Sequence, residues 1–237
     1  MILDAEQLKR EAAAFGLAPD AEAVERLDAY ASLLLEKNKV MNLTAITEPS
    51  AIVTRHFVDS LTLLTAVEPK PGAKLIDIGS GAGFPGLPVK ILRPDLDVTL
   101  LDGTKKRVDF LKDVANALGL TVTAVHARAE EAAVWPAYRE QFDLATARAV
   151  AELRVLGEYS LGFLKIGGVL VAMKGRLSDE EIEGSRSCFS VMGGKPEGSR
   201  RLTLADGSER VLFSVKKVSQ TPTGYPRPSA KMAKKPL

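Results

Sequence analysis

A glycine-rich run at residues 77–86 has the residue types and spacing of a ligand-binding loop. It reads Asp-Ile-Gly-Ser-Gly-Ala-Gly-Phe-Pro-Gly and joins an apolar, strand-like segment to a predicted helix. Glycines let the chain turn sharply and approach a ligand without a Cβ in the way. An ordinary strand-to-helix turn is the alternative interpretation, but three alternating glycines, with Asp77 before them and Asp102 further on, favour a cofactor loop.

Two further carboxylates follow strand-like segments. Asp102 ends the second segment, where it could hold a ribose hydroxyl or cap the helix that begins near Thr104. Glu130 follows the third segment, where it could accept a hydrogen bond from an adenine amino group. Glu130 and Glu131 could equally form a solvated first helical turn.

Two cofactor classes fit the glycine run. Counted from Gly81 it matches G-x-G-x-x-G, the pattern of dinucleotide-binding folds. The acidic residue before G-x-G-x-G instead resembles motif I of class I S-adenosylmethionine-dependent methyltransferases, whereas nicotinamide folds usually end that strand with apolar residues. We therefore predict S-adenosylmethionine as the cofactor, with Asp77, Gly79, Gly81, Gly83 and Asp102 in its site. An NAD-dependent oxidoreductase is the less favoured alternative.

The elements that position these residues follow from the apolar periodicity. Helical spacing over residues 1–67 predicts helices without strands, and Asp20 is placed to cap one of them. Short strands then alternate with helices, which is typical of a parallel sheet. A polar helix from about Ser178 and a hairpin around Asp206-Gly207 close the pattern. Strands are predicted at 74–78, 98–102, 122–126, 142–147 and 169–173.

The predicted fold class is therefore α/β. It is a Rossmann-like, mostly parallel seven-stranded sheet with a C-terminal antiparallel strand and an N-terminal helical extension. We predict a helical region at 1–67, a cofactor-binding domain at 68–219 and a basic tail at 220–237.

Composition limits the class of protein. The chain has 237 residues, 46% of them hydrophobic, and its 32 Lys and Arg against 30 Asp and Glu exclude a uniformly basic nucleic-acid coat. Cys188 is the single cysteine, so neither an internal disulfide nor a Cys/His zinc cluster is expected. No apolar run reaches the roughly 18 residues of a membrane span, and the first ten residues do not resemble a signal peptide. We expect a cytoplasmic protein without a metal.

Several further segments, taken in order, resemble the ribosomal RNA small subunit methyltransferase G family, also called glucose-inhibited division protein B. The resemblance covers nearly the whole chain, and the segment with Arg55, His56, Asp59 and Ser60 makes it more specific than the glycine loop alone. The segments that carry it are Asn42-Leu43-Thr44, Arg55-His56 with Asp59-Ser60, the loop ending Phe84-Pro85-Gly86, Leu101-Asp102 with Lys106-Arg107, Arg148-Ala149, Lys174-Gly175 and the Pro-rich tail.

The resemblance implies methyl transfer from S-adenosylmethionine to N7 of a guanine, position 527, in the 530 loop of 16S rRNA. It implies cofactor contacts at Gly79, Phe84, Ala129, Glu130 and Arg148. The implied partner is 16S rRNA or the small ribosomal subunit, with no membrane contact, and we expect a monomer. A methyltransferase acting on another RNA or on a small molecule stays open.

The end of the fourth strand is compatible with this reaction. It reads Ala-Thr-Ala-Arg148, without the Asn/Asp-Pro-Pro-aromatic motif of exocyclic-amine methylases or the Lys-Asp-Lys set of ribose methylases. Cys188, on a late polar helix, is a poor candidate for the thiolate that cytosine C5 methylation needs. Guanine N7 has a free lone pair and needs no general base. We assign Arg148 to the cofactor and the target base, and Lys174 to a phosphate or guanine O6; a solvated strand end is the alternative for Lys174.

Two clusters have competing interpretations. His56, Asp59 and Ser60 lie within about one helical turn, which favours a structural network tying the N-terminal helices to the main domain over a catalytic triad. The tail from Gln220 has no acidic residue, and we expect it to form no core element. Its cations are predicted RNA contacts, with a solubilising terminus as the alternative. They are Arg227, Lys231, Lys234 and Lys235.

Overall fold

The computed structural model describes residues 1–237 and begins with a layer of helices. The side chain of Asp4 caps α1, and Asp20 caps α2 as predicted, by accepting a hydrogen bond from the Ala23 N–H at 2.8 Å. A π-helical segment, Val53–Val58, continues α3 and carries Arg55 and His56. The layer comprises α1 (Ala5–Ala13), α2 (Ala21–Met41), α3 (Pro49–Ile52), α4 (Asp59–Leu61) and α5 (Leu63–Ala66).

Seven strands form one sheet in the order β3-β2-β1-β4-β5-β7-β6. The first five are parallel, and the hairpin of β6 and β7 adds to β5 in antiparallel orientation. This confirms the predicted fold class, although β5 begins five residues earlier than its apolar core suggests. The strands are β1 (Lys74–Ile78), β2 (Asp97–Asp102), β3 (Thr123–His126), β4 (Phe142–Arg148), β5 (Leu164–Lys174), β6 (Gly194–Thr203) and β7 (Glu209–Lys217).

Helices pack on both faces of the sheet. Ser178 caps α10 through the Glu181 N–H, as the sequence predicts. No helix combines the length and the apolar character that crossing a membrane requires. The helices are α6 (Gly86–Leu92), α7 (Lys105–Ala117), α8 (Ala129–Ala132), α9 (Leu153–Ser160) with a 3-10 turn (Leu161–Phe163), α10 (Asp179–Val191) and α11 (Ser229–Lys234).

The N-terminal helices share a hydrophobic core with the sheet. Leu27 and Tyr30 of α2 are fully buried and belong to the same apolar cluster as Leu75 of β1 and Leu100 of β2. A second cluster fills the opposite face, beneath α9 and α10. The helical layer therefore packs, with α6 and α7, on the face of the sheet opposite α9 and α10.

The C-terminal segment is where the sequence prediction is wrong. Met232 of α11 and Thr221 are buried. The Arg139 guanidinium donates to the main-chain oxygens of Thr221, Pro222 and Tyr225 at 2.7–3.2 Å. The sequence did not predict this packing because the segment has few apolar residues. Polar contacts to the body of the protein hold it in place.

Arg227 also departs from its prediction as an RNA contact. Its guanidinium forms a two-pronged ion pair with Glu158 of α9, at 2.6 and 2.7 Å, and Glu158 is 1% exposed. Because a buried carboxylate needs a partner, Arg227 is committed to the interior. Lys231, Lys234 and Lys235 remain exposed.

Candidate active site

The glycine loop turns sharply where β1 ends. Gly79 lies in the left-handed region at φ +71°, and the N–H groups of Gly79 and Ser80 donate to the Leu101 oxygen at 2.8 and 3.0 Å. A Cβ on Gly79 would lie only 2.8 Å from Cγ2 of Val150, which follows β4. The narrow gap between β1 and β4 therefore requires glycine here.

Helix α2 fixes the other side of the loop. The Tyr30 hydroxyl donates to the main-chain oxygen of Ala82, and a Cβ on Gly83 would collide with that hydroxyl at 2.5 Å. Burial raises the pKa of Tyr30 well above its usual value, so the phenol stays a donor. The N-terminal layer thus shapes the predicted cofactor loop directly.

Asp77 lies beneath the loop and is fully buried. Its Oδ2 accepts from the Gly86 N–H at 2.9 Å, which anchors the start of α6, while Oδ1 has no hydrogen-bond partner. Burial raises the pKa of this carboxyl to about 7. In this structure Asp77 shapes the loop from below and does not line a cavity.

A cavity of about 210 Å³ opens beside the loop, at the carboxyl ends of β1, β2 and β3. It brings together Gly79, Ala129 and Glu130, three of the predicted cofactor residues. Six of its ten lining residues are hydrophobic, which suits a flat ring held between side chains. The lining residues are Ile78, Gly79, Leu101, Gly103, Ala127, Arg128, Ala129, Glu130, Val150 and Tyr159.

Asp102, at the end of β2, lies in the sequence between the lining residues Leu101 and Gly103. Its Oδ2 accepts from the Gly81 N–H at 2.9 Å and its Oδ1 from the Thr104 N–H at 2.8 Å. Asp102 does not cap α7, whose N-cap is Thr104, but each of its carboxylate oxygens has a second lone pair. Asp102 ties the loop to the start of α7 and keeps acceptor capacity for a hydroxyl.

A second cavity, of about 380 Å³, lies on the other side of the segment that follows Arg148. It brings Arg148 and Lys174 together, as the sequence predicts, and adds residues of the N-terminal layer. Four of its lining residues are cations and one is a carboxylate. The lining residues are Ile46, Arg55, His56, Asp59, Arg148, Ala149, Met173, Lys174, Gly175 and Arg210.

Arg148 is held on three sides. Its Nη1 donates to Asp59 Oδ2 at 3.1 Å and to the Arg55 oxygen at 3.2 Å, and its Nη2 lies 3.4 Å from Nδ1 of His56. The guanidinium carbon lies 5.0 Å from the centre of the Phe84 ring, which is a cation–π distance. With a side chain only 17% exposed, Arg148 is a preorganised cation in the lining of the second cavity.

His56 supports Arg148 as a neutral ring. It stacks on Phe84 with 4.4 Å between ring centres, and its Nε2 lies 2.8 Å from Oγ1 of Thr44. Burial, with the charge of Arg148, lowers the pKa of His56 to about 3. The Phe84 side chain is therefore buried under His56, and a cofactor contact at Phe84 would come from its main chain.

Asp59 joins the N-terminal layer to two strands. Its Oδ2 accepts from Arg148 of β4, and its Oδ1 accepts from Nε of Arg210 of β7 at 2.9 Å. Ser60 donates to the His56 oxygen, as in a helical turn. These contacts form the network predicted for the segment and leave no serine paired with a base.

Sequence reasoning missed Arg210 altogether. It follows the hairpin turn and lies 151 residues from Asp59, so no local pattern pairs the two. Lys174 also has defined partners: its Nζ donates to the Ala151 oxygen at 2.7 Å and pairs with Glu181 at 2.8 Å. Cys188 is buried, and burial raises the pKa of its thiol to about 12, which agrees with the inert role expected for it.

Solved structures share this architecture. The YcgJ protein of Bacillus subtilis superimposes with a TM-score of 0.54 at 14% identity, over 69% of this chain and all of that one. TYW2 of M. jannaschii, solved in complex with AdoMet, gives a TM-score of 0.55 at 14% identity, over 68% of this chain and 75% of its own. At such identities the likeness concerns the fold.

Fold and site together define a class I methyltransferase, an enzyme class that uses S-adenosylmethionine. The family model described as rRNA small subunit methyltransferase G matches residues 23–205. Ribosomal RNA small subunit methyltransferase G of Acetivibrio thermocellus is 47% identical over 228 residues, which are 95% of this chain and 93% of that protein. The chain belongs to the rRNA small subunit methyltransferase G family.

The residues present fit S-adenosylmethionine. Gly79 and Glu130 both line the cavity beside the loop, and six of its ten lining residues are hydrophobic. Asp102 and Glu130 supply carboxylate acceptors for ribose and adenine donors. Membership in this family argues against the NAD-dependent oxidoreductase, the alternative that the glycine run also allowed.

Proposed function

We propose that this enzyme methylates N7 of a guanine in 16S rRNA, at position 527 in the 530 loop, with the target base in the cavity lined by Arg148. Family membership supports methylation of small-subunit rRNA. The choice of N7 and of position 527 goes further than family membership. It is supported by the resemblance and by the chemistry of this cavity.

The observation that carries the proposal is that the cationic cavity offers no free general base. His56 has a pKa of about 3 and stacks on Phe84, so it takes up no proton near neutral pH. Asp59 is the only carboxylate in the lining, and two arginines hold its oxygens. Methylation of an amine or a hydroxyl requires removal of a proton, whereas N7 offers a lone pair in the plane of the ring.

The bound cofactor supplies an electrophilic methyl group on a sulfonium. The chain contributes position and electrostatics. Arg148 lines the cavity proposed for the target base, and the loop at Gly79 would hold the cofactor in the neighbouring cavity. We also propose that Lys174, which lines this cavity and pairs with Glu181, contacts guanine O6 or a phosphate.

The other expectations from the sequence stay proposals. We propose that the exposed Lys231, Lys234 and Lys235 add electrostatic attraction for RNA. We also propose that the enzyme acts as a cytoplasmic monomer without a metal. Sedimentation of the full chain with and without small subunits tests the oligomeric state.

The function is tested by incubating the enzyme with labelled S-adenosylmethionine and small subunits that lack the modification. The proposal predicts label in one guanine, released on digestion as 7-methylguanosine. Label in another RNA or in a small molecule would favour the alternatives that the sequence leaves open.

A further inference from the structure

The cavity that holds Arg148 has an excess of positive charge. Arg55, Arg148, Lys174 and Arg210 line it, and Asp59 is its one anion. Two carboxylates outside the lining also pair with these cations, Asp206 with Arg55 and Glu181 with Lys174. Four cations against three carboxylates leave a net charge of +1. Charges arranged in this way favour an anionic ligand within the cavity.

Arg55 and Arg210 have guanidinium N–H groups without a hydrogen-bond partner. Arg210 uses Nε for Asp59 and Nη1 for the Glu209 oxygen, and its Nη2 has no hydrogen-bond partner. Arg55 uses only Nε, which donates to Asp206 at 2.5 Å. Guanidinium N–H groups that remain free present the fork that recognises phosphate oxygens.

Asp59 and Asp206 orient the guanidinium groups of Arg210 and Arg55 before a ligand binds. Asp59 is 4% exposed in its side chain and holds Arg210, whose own side chain is 18% exposed. Arg55 is half exposed, and Asp206 orients it from the hairpin turn. Preorganisation of this kind reduces the entropy that binding costs.

We propose that Arg55 and Arg210 form a subsite for a backbone phosphate of the RNA next to the target nucleotide. The subsite joins the N-terminal π-helical segment to β7, so both ends of the chain would contact the same RNA strand. The proposal rests on the proposed function for its RNA substrate. It does not depend on which atom of the base is methylated.

The test uses the full-length enzyme and unmodified small subunits. Arg55→Gln removes an exposed charge and poses little risk to folding. Arg210→Lys keeps a cation for Asp59 but removes the fork. Lys165→Gln is the matched control. Lys165 lies at the start of β5, at the end of the strand away from Lys174, and pairs with Asp143.

Each arginine variant is expected to raise the KM for subunits about tenfold. Arg55→Gln should also reduce the slope of log affinity against log salt by about 0.7–0.9, whereas Arg210→Lys should keep that slope. The Kd for S-adenosylmethionine should match the wild type in both arginine variants. Lys165→Gln should change none of these quantities.

Unchanged KM and salt slope in both arginine variants would overturn the subsite. Weakened binding of S-adenosylmethionine alone would also overturn it, since the anion held by the arginines would then be the cofactor's carboxylate. Failure of the proposed function is a separate outcome. The wild-type enzyme would then place label on another nucleotide or atom, while the KM values of the variants and the wild type would still report on phosphate binding.

Discussion

Asp59 Oδ2 lies 3.1 Å from Nη1 of Arg148, a pair that joins the N-terminal helical layer to the end of β4 across 89 residues of sequence. The second oxygen of the same carboxylate binds Arg210 at 2.9 Å. One buried group thus determines the position of two cations in the proposed target cavity. In the proposed function, the N-terminal layer is therefore part of the catalytic unit.

Asp59→Asn is expected to slow methyl transfer at least tenfold, because an amide cannot hold two guanidinium groups as a carboxylate does. It should also lower the free energy of unfolding by about 3 kcal/mol, since buried arginines lose their partner. Single-turnover rates and urea unfolding measure the two effects.

A double-mutant cycle separates positioning from general destabilisation. If Asp59 acts through Arg148, Asp59→Asn should slow Arg148→Ala little further. Rate losses that add in full would show that Asp59 supports only the fold.

Arg148→Ala should nearly abolish methyl transfer while the protein stays folded. The residue lines the proposed target cavity, and no neighbouring cation occupies its place over Phe84. Arg148→Lys should recover only part of the rate, because an ammonium group lacks the planar fork. Full activity in the alanine variant, with native circular dichroism, would remove Arg148 from the mechanism.

His56 should make the protein less stable in acid. Its pKa falls from 6.5 to about 3 on folding, so the unfolded chain binds the extra proton first as pH decreases. Stability is therefore fully present above pH 6.5 and is lost progressively toward pH 3, by about 4 kcal/mol for this group. His56→Asn should flatten that acid slope in urea unfolding.

The C-terminal segment should contribute to stability and to RNA binding through different residues. Arg227→Gln leaves Glu158 buried without its partner and should lower the free energy of unfolding by about 3–5 kcal/mol. Replacing Lys231, Lys234 and Lys235 together with glutamine should change stability by less than about 0.5 kcal/mol, and should weaken RNA binding and its salt dependence. Equal destabilisation by both changes, measured in urea, would contradict this division.

The sequence allowed the sheet and the glycine loop to be predicted because both depend on local signals. Apolar periodicity located β1 to β4 nearly to the residue, and the alternation of glycines marked the turn after Ile78. Residues near strand ends were predicted to meet because the carboxyl ends of parallel strands share one edge. Gly79, Ala129 and Glu130 do meet there.

The long-range ion pairs could not be predicted. Arg227 resembles a surface cation in a basic tail, and only the fold shows that Glu158, 69 residues away, is buried beside it. The same holds for Arg210, whose partner lies on a different layer of the protein. In both cases a buried carboxylate selects its cation through tertiary packing, for which a single sequence carries no periodic signal.

The most direct test of the account is to map the methyl group. Small subunits without the modification are incubated with the enzyme and labelled S-adenosylmethionine, the rRNA is digested, and the labelled nucleoside is identified and located. We predict 7-methylguanosine at position 527, with no label after incubation with Arg148→Ala. Label on an exocyclic amine, on a ribose hydroxyl or at another nucleotide would contradict the account.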